Sequence, residues 1–184
     1  MQDGIFPRIK LGVSACLLGQ PVRFDGGHKR DGLIAGPLAD FADFVALCPE
    51  MGIGMGAPRP PIRLIGSLER ARAIRSDDIG LDVTPQLESF AREALASLRD
   101  ICGFIFKSGS PSCGMEGVKV YETEDGPAQP LGIGIFARVL MQAMPLLPVE
   151  EDGRLRDPRL RESFFTRVFA YERWRRFLAA GMEP

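Results

Sequence analysis

The 184 residues predict an α/β fold: a single three-layer, Rossmann-like domain with a mostly parallel sheet, followed by a C-terminal amphipathic helix. Three observations predict it. Short apolar runs alternate with longer segments of helical period, and such strand–helix–strand alternation builds a right-handed, mostly parallel sheet. Three of the runs open into a Gly- or Pro-rich turn that carries a cysteine, and in such a sheet the loops leaving the carboxyl ends of the strands converge on one crevice. Beyond Glu150 the alternation gives way to one long amphipathic stretch. The expected organisation is therefore a domain over residues 1–150 and a helical extension over 151–184. One substantial core fits this length, and two full domains would be cramped.

Arg8–Val13 reads as the first strand, with Cys16 close behind it. Leu33–Phe41 suits a short helix, which Pro37 weakens. Phe44–Leu47 is a second buried strand, ending at Cys48. Gly52–Arg63 is dense in Gly and Pro turn signals and is expected to be irregular. Ile62–Leu68 and Ile79–Val83 read as short strands paired antiparallel. Thr84-Pro85 starts a helix, a capping residue followed by Pro at the first helical position. That helix runs to about Asp100 with Leu87, Phe90, Ala91, Ala94, Leu95 and Leu98 on one face. Gly103–Phe106 is the third buried strand and leads into Ser108–Gly114. Val118–Tyr121 is expected at a sheet edge, before a loop over Thr123–Pro130. Ile133–Met144 reads as a helix and Leu146–Val149 as the last strand. Asp157-Pro158 opens the long helix Arg159–Ala180, with Leu160, Phe164, Val168, Tyr171 and Phe177 near helical spacing.

Composition narrows the function classes. Hydrophobic residues make up 45% and charged residues 26%, a globular mixture. A net charge of −1 supplies no global basic footprint for nucleic acid. Met1–Lys10 lacks the apolar core of a signal peptide and no run reaches membrane-spanning length, so a cytoplasmic location and no membrane partner are expected. Four cysteines in such a chain point to metal binding, catalysis or simple burial rather than disulfides.

Cys16, Cys48 and Cys113 each occupy a strand-to-loop junction beside Gly or Pro. A single buried cysteine is commonly a small apolar filler, but three at equivalent junctions argue for one shared site. There is no C-x-x-C pair, which argues against a zinc ribbon. Cys102 precedes its strand rather than following it and reads as structural. Glu50 lies two residues after Cys48, where it is either a functional carboxylate or a solvated turn residue. Ser108, Ser110 and Ser112 flank Cys113 and can relay protons or cap backbone N–H groups. The only histidine is His28, so a Ser-His-Asp triad is not supported. Asp25–Arg30 is a polar loop whose two glycines, with Lys29 and Arg30, suit either an anion or an ordinary surface turn. Gly52–Gly56 lacks the third glycine of a dinucleotide loop, and Pro58, Pro60 and Pro61 stop a helix from following.

Assembled, these residues resemble the thiouracil desulfidase family. The matching segments are Val13–Gly19, Val22–Arg30, Cys48-Pro49-Glu50, Pro58–Leu64 and Phe106–Gly114. The tail from Asp157 through Trp174 resembles the junction that leads into a second domain in longer relatives. The resemblance implies a [4Fe-4S] cluster held by Cys16, Cys48 and Cys113, with one iron left free for the substrate's sulfur. It implies hydrolytic, non-redox removal of sulfur from a thiocarbonyl base, giving the carbonyl base and sulfide. Glu50 matches the general base, and Ser110 or Ser112 would relay a proton. The implied partner is a small thiolated pyrimidine, thiouracil or a thiouridine derivative as nucleoside or nucleotide. His28, Lys29, Arg30, Arg59 and Arg63 are the expected contacts to the part of the substrate that does not react, the alternative for the basic residues being ion pairs with Asp25, Asp31 or Glu50. Two other classes fit the same cysteines: an iron–sulfur or metal-binding sensor or storage module without turnover, and a transferase carrying persulfide.

Overall fold

The computed structural model of the chain describes residues 8–124 and 126–181. Reading the first seven residues as leader-free therefore lies outside it. Four strands form a wholly parallel sheet: β1 (Ile9–Ser14), β2 (Ala42–Leu47), β5 (Phe104–Phe106) and β8 (Val149–Glu151), in the order β2-β1-β5-β8. A second four-stranded sheet comprises β3 (Ile62–Ile65), β4 (Arg72–Arg75), β6 (Val118–Tyr121) and β7 (Ala128–Gly132), in the order β4-β3-β6-β7. The helices are the single turn α1 (Pro49–Gly52), α2 (Thr84–Leu98), α3 (Ile135–Ala143) and α4 (Pro158–Ala179).

Alternation along β5 shows how the three layers arise. Phe104 and Phe106 point to one face of the parallel sheet and pack with Ala91 and Leu98 of α2 and Phe136 and Leu140 of α3. Ile105 points to the other face, as the strand period of two requires, and joins Leu11, Val13, Phe164 and Val168. The long helix α4 thus covers the second face, with Phe164 and Val168 fully buried. Asp157 caps it by accepting from the N–H groups of Arg159 and Leu160. Among the described residues no helix is long and apolar enough to cross a membrane.

The expected α/β architecture with its parallel sheet and C-terminal helix is present; the second sheet accounts for most of the differences in detail. The expected strand Ile79–Val83 is replaced by Arg72–Arg75, which pairs antiparallel with β3, and Asp82 makes only an isolated bridge to Ile74. Only Ala73 and Ile74 of that strand are buried, and two apolar residues between arginines carry little hydrophobic signal. Val118–Tyr121 is an interior strand, not an edge, because β7 pairs with it on the far side. β7 begins inside the expected loop Thr123–Pro130 and tolerates Pro130 because it is itself the edge strand. The last strand starts at Val149 rather than Leu146, since Glu150 and Glu151 are buried with hydrogen-bond partners of their own. The short helix expected over Leu33–Phe41 reduces to a 3-10 turn at Pro37–Asp40.

Candidate active site

The site lies at the carboxyl ends of the parallel strands. Cys16 follows β1 in a 3-10 turn, Ala15–Leu18. Cys48 follows β2 and immediately precedes α1, where Pro49 occupies the first helical position. Cys113 follows β5 at the end of the Ser108–Gly114 loop, which the start of α3 holds in place. The N–H groups of Ile135 and Phe136 donate to the carbonyls of Pro111 and Ser112, at 3.0 and 2.9 Å. Gly134 permits this docking, because a Cβ there would come within 2.5 to 2.7 Å of the Ser112 and Cys113 backbone.

The three cysteines line one pocket of about 220 Å³ together with Glu50 and Ser110. A water molecule occupies roughly 30 Å³ in the liquid, so this is a binding cavity rather than a packing defect. All four cysteines are free thiols, and Cys102 lies outside the pocket. Burial pushes the Cys16 thiol up to about 11; the nearby Cys48 thiol adds to the shift, while Lys107 and Arg23 oppose it. Burial also raises Cys48 against the opposing backbone N–H of Met51. Cys113 is raised well above the usual thiol range by burial, then by Cys48, with the Ser14 hydroxyl opposing. Thiols raised in this way keep their protons near neutral pH unless a cation such as a metal ion displaces them. Among the described residues no three His, Cys, Asp or Glu side chains are grouped so as to hold a single metal ion. Three thiols lining one pocket are a donor set of the kind that holds an iron–sulfur cluster.

Glu50 is a fixed carboxylate rather than a solvated turn residue. Ser112 donates to its Oε1 at 2.8 Å, and Arg59 meets Oε2 through Nε at 2.9 Å and Nη2 at 2.7 Å. The Arg59 side chain is 3% exposed and also donates to the carbonyls of Val22 and Gly56. Ser112 is fully buried, so its hydroxyl reaches the pocket only through Glu50. Ser110 instead uses its oxygen to accept from the N–H groups of Ser112 and Cys113, at 3.3 and 3.1 Å, and shapes the cysteine loop.

The basic residues divide differently from the sequence expectation. Arg59 lines the pocket, but its donors hold Glu50 and two carbonyls. His28, Lys29, Arg30 and Arg63 do not line it and are exposed. The Asp25–Arg30 loop serves the fold instead: the Lys29 and Asp31 N–H groups donate to the carbonyls of Cys16 and Leu17. Arg30 donates to the Ala35 carbonyl, and the Arg63 guanidinium lies 5.6 Å from the Tyr121 ring centre. The pocket cations missed in the sequence are Arg23 and Lys107. Lys107 is held by both oxygens of Asp152, at 2.9 and 3.2 Å, and by the Ser108 hydroxyl. Both cations lie inside the segments Val22–Arg30 and Phe106–Gly114, whereas Asp152 carried no signal.

The parallel sheet thus gathers three thiols and an anchored carboxylate in one pocket at the carboxyl ends of its strands. The chain belongs to the 2-thiouracil desulfurase family, whose sequence profile matches residues 11–152. It is 32% identical over 139 residues, 71% of this chain and 89% of the relative, to the uncharacterized protein YbbK of Bacillus subtilis (strain 168). It is also similar to the solved structure of a [4Fe-4S]-dependent thiouracil desulfidase, TudS. There the TM-score is 0.65 with 32% identity, over 86% of this chain and 99% of that one.

Proposed function

We propose that this chain is a [4Fe-4S]-dependent desulfidase that hydrolyses the C=S bond of a thiolated pyrimidine, thiouracil or a thiouridine derivative. The observation that carries the reading is the convergence of Cys16, Cys48 and Cys113 on the pocket that Glu50 faces. Those three thiols would hold the cluster. When bound, it would supply a thiophilic Lewis acid, at the iron no cysteine ligates, that polarises C=S as a metal polarises a carbonyl.

The protein's own groups supply the proton chemistry. Glu50 accepts a proton from water as the water oxygen bonds to the thiocarbonyl carbon. The C–S bond breaks, sulfur leaves as sulfide, and the carbonyl base remains; water is the only co-reactant and no electrons are transferred. Arg59 and Ser112 fix the carboxylate by one oxygen each, so Glu50 is oriented before substrate arrives. Ser112 is the better-placed proton relay of the two serines, because its hydroxyl already donates to Glu50.

The test is iron and acid-labile sulfide analysis of anaerobically purified protein, followed by a 2-thiouracil assay for uracil and sulfide. The expected result is a protein with four irons and four sulfides per chain that releases both products. A loaded cluster without turnover on any thiobase would favour the sensor reading, and cluster-free protein active in persulfide transfer would favour the transferase.

A further inference from the structure

Arg23 differs from the other two pocket cations. Arg59 is bound to Glu50 and two carbonyls, and Lys107 to Asp152 and Ser108. The Nε of Arg23 is the one buried side-chain nitrogen or oxygen, among all described residues, that has no hydrogen-bond partner. A buried donor without an acceptor costs about 1–3 kcal/mol, and native structures rarely keep one without a reason. The residue that carries it lines the thiol pocket.

The guanidinium is held in place while its Nε has only a long, poorly aligned approach to Asp25. Its backbone is pinned within the loop, the Arg23 N–H donating to the Gly27 carbonyl and the Gly26 N–H to the Arg23 carbonyl. The Arg23 guanidinium lies 5.2 Å from the ring centre of Phe24, which also lines the pocket. Its nearest charge, the half-exposed Asp25 carboxylate, stands 3.4 Å from Nε and already accepts from the Gly27 N–H. An ion pair so exposed contributes little. The group that completes this site must bring an acceptor to a planar, positively charged fork, the geometry that recognises oxygen atoms in pairs or singly.

We infer that Arg23 is the substrate-anchoring residue, donating to an acceptor oxygen of the thiolated pyrimidine away from the C=S bond. This rests on the desulfidase reading above. The acceptor is a ring carbonyl oxygen or a nucleotide phosphate, and both satisfy the same fork. Neither requires the basic side chains at positions 28–30, which are exposed and do not line the pocket.

Steady-state kinetics of the iron-loaded protein on three substrates tests it: 2-thiouracil, thiouridine and thiouridine 5′-monophosphate. Arg23→Ala should raise KM about tenfold or more, the loss of one charge-assisted hydrogen bond, with a smaller change in kcat. Iron content should stay at the wild-type value. A shift on all three substrates assigns the ring carbonyl, and a shift confined to the monophosphate assigns the phosphate. Arg23→Lys, which keeps the charge and most of the volume, should show the same pattern reduced in size, and it carries the test if the alanine variant does not fold. Calorimetric binding of uracil and uridine 5′-monophosphate should weaken in parallel. Unchanged KM on every substrate with an active wild type overturns this inference alone. Loss of iron in Arg23→Lys also overturns it, by making Arg23 a support of the metal centre. A loaded wild type inert on all three substrates overturns the desulfidase reading and this inference with it.

Discussion

The two ends of the parallel sheet carry the same residue type in equally buried positions and use it differently. Cys102, before β5, and Cys113, after it, are both 6% exposed, and burial raises both thiols. At the amino end Cys102 has no second thiol beside it: its N–H donates to the Lys10 carbonyl, and the charged groups near its thiol are Arg175, Glu172 and Arg176 of the C-terminal helix. At the carboxyl end Cys113 faces two further thiols, a carboxylate and cations. Burial and thiol pKa direction therefore do not separate the pocket cysteine from the other one in this protein. Topology does: the crevice of an open parallel sheet lies outside the carboxyl ends of its strands.

The largest effects should separate the two ends. Cys16→Ser, Cys48→Ser and Cys113→Ser should each lose most of the iron, because a hydroxyl is a far poorer iron ligand than a thiolate. Cys102→Ser should keep the wild-type iron and sulfide content. Iron loss in Cys102→Ser, or retention in all three others, would break the contrast. Within the carboxyl end, Glu50→Gln keeps the shape and removes the proton acceptor. It should retain iron and lose about a hundredfold or more in turnover, as measured by sulfide release.

Smaller effects concern the supports. Burial alone would raise Asp152, but the Ser108 N–H and Lys107 outweigh it and hold the carboxyl below its usual 3.8. Its stabilisation is therefore fully present above about pH 4 and is lost as pH falls through the lower folded value. Asp152→Asn should cost about 2 kcal/mol at pH 7, by leaving Lys107 without its charge partner, and should flatten the acid limb of stability. Urea unfolding between pH 7 and pH 2 checks both. Asp157→Ala, at the start of the helix on the far face, should cost about 1 kcal/mol through the lost cap. Its melting temperature should fall while iron content stays unchanged.

The sequence by itself determined what is encoded locally. Apolar runs with turn residues behind them placed β1, β2 and β5, and Thr84-Pro85 and Asp157-Pro158 marked where α2 and α4 begin. The position of a cysteine after or before its strand was enough to separate Cys16, Cys48 and Cys113 from Cys102. Only the tertiary structure decided which chemistry meets which. Arg59 reads in the sequence as either a ligand contact or an ion-pair partner of Glu50, and it is burial beside Glu50 and the Val22 carbonyl that commits its donors to the protein. Asp152 is an acid at a strand end until β8 pairs with β5 and brings it against Lys107. Arg72–Arg75 becomes a strand because β3 supplies its ladder partners, and Pro130 fits a strand only because β7 lies at an edge. The physical reason is common to all of these. Helix caps and apolar periodicity act over a few residues, whereas charge partners and ladder partners are chosen across tens of residues by the packing of whole layers.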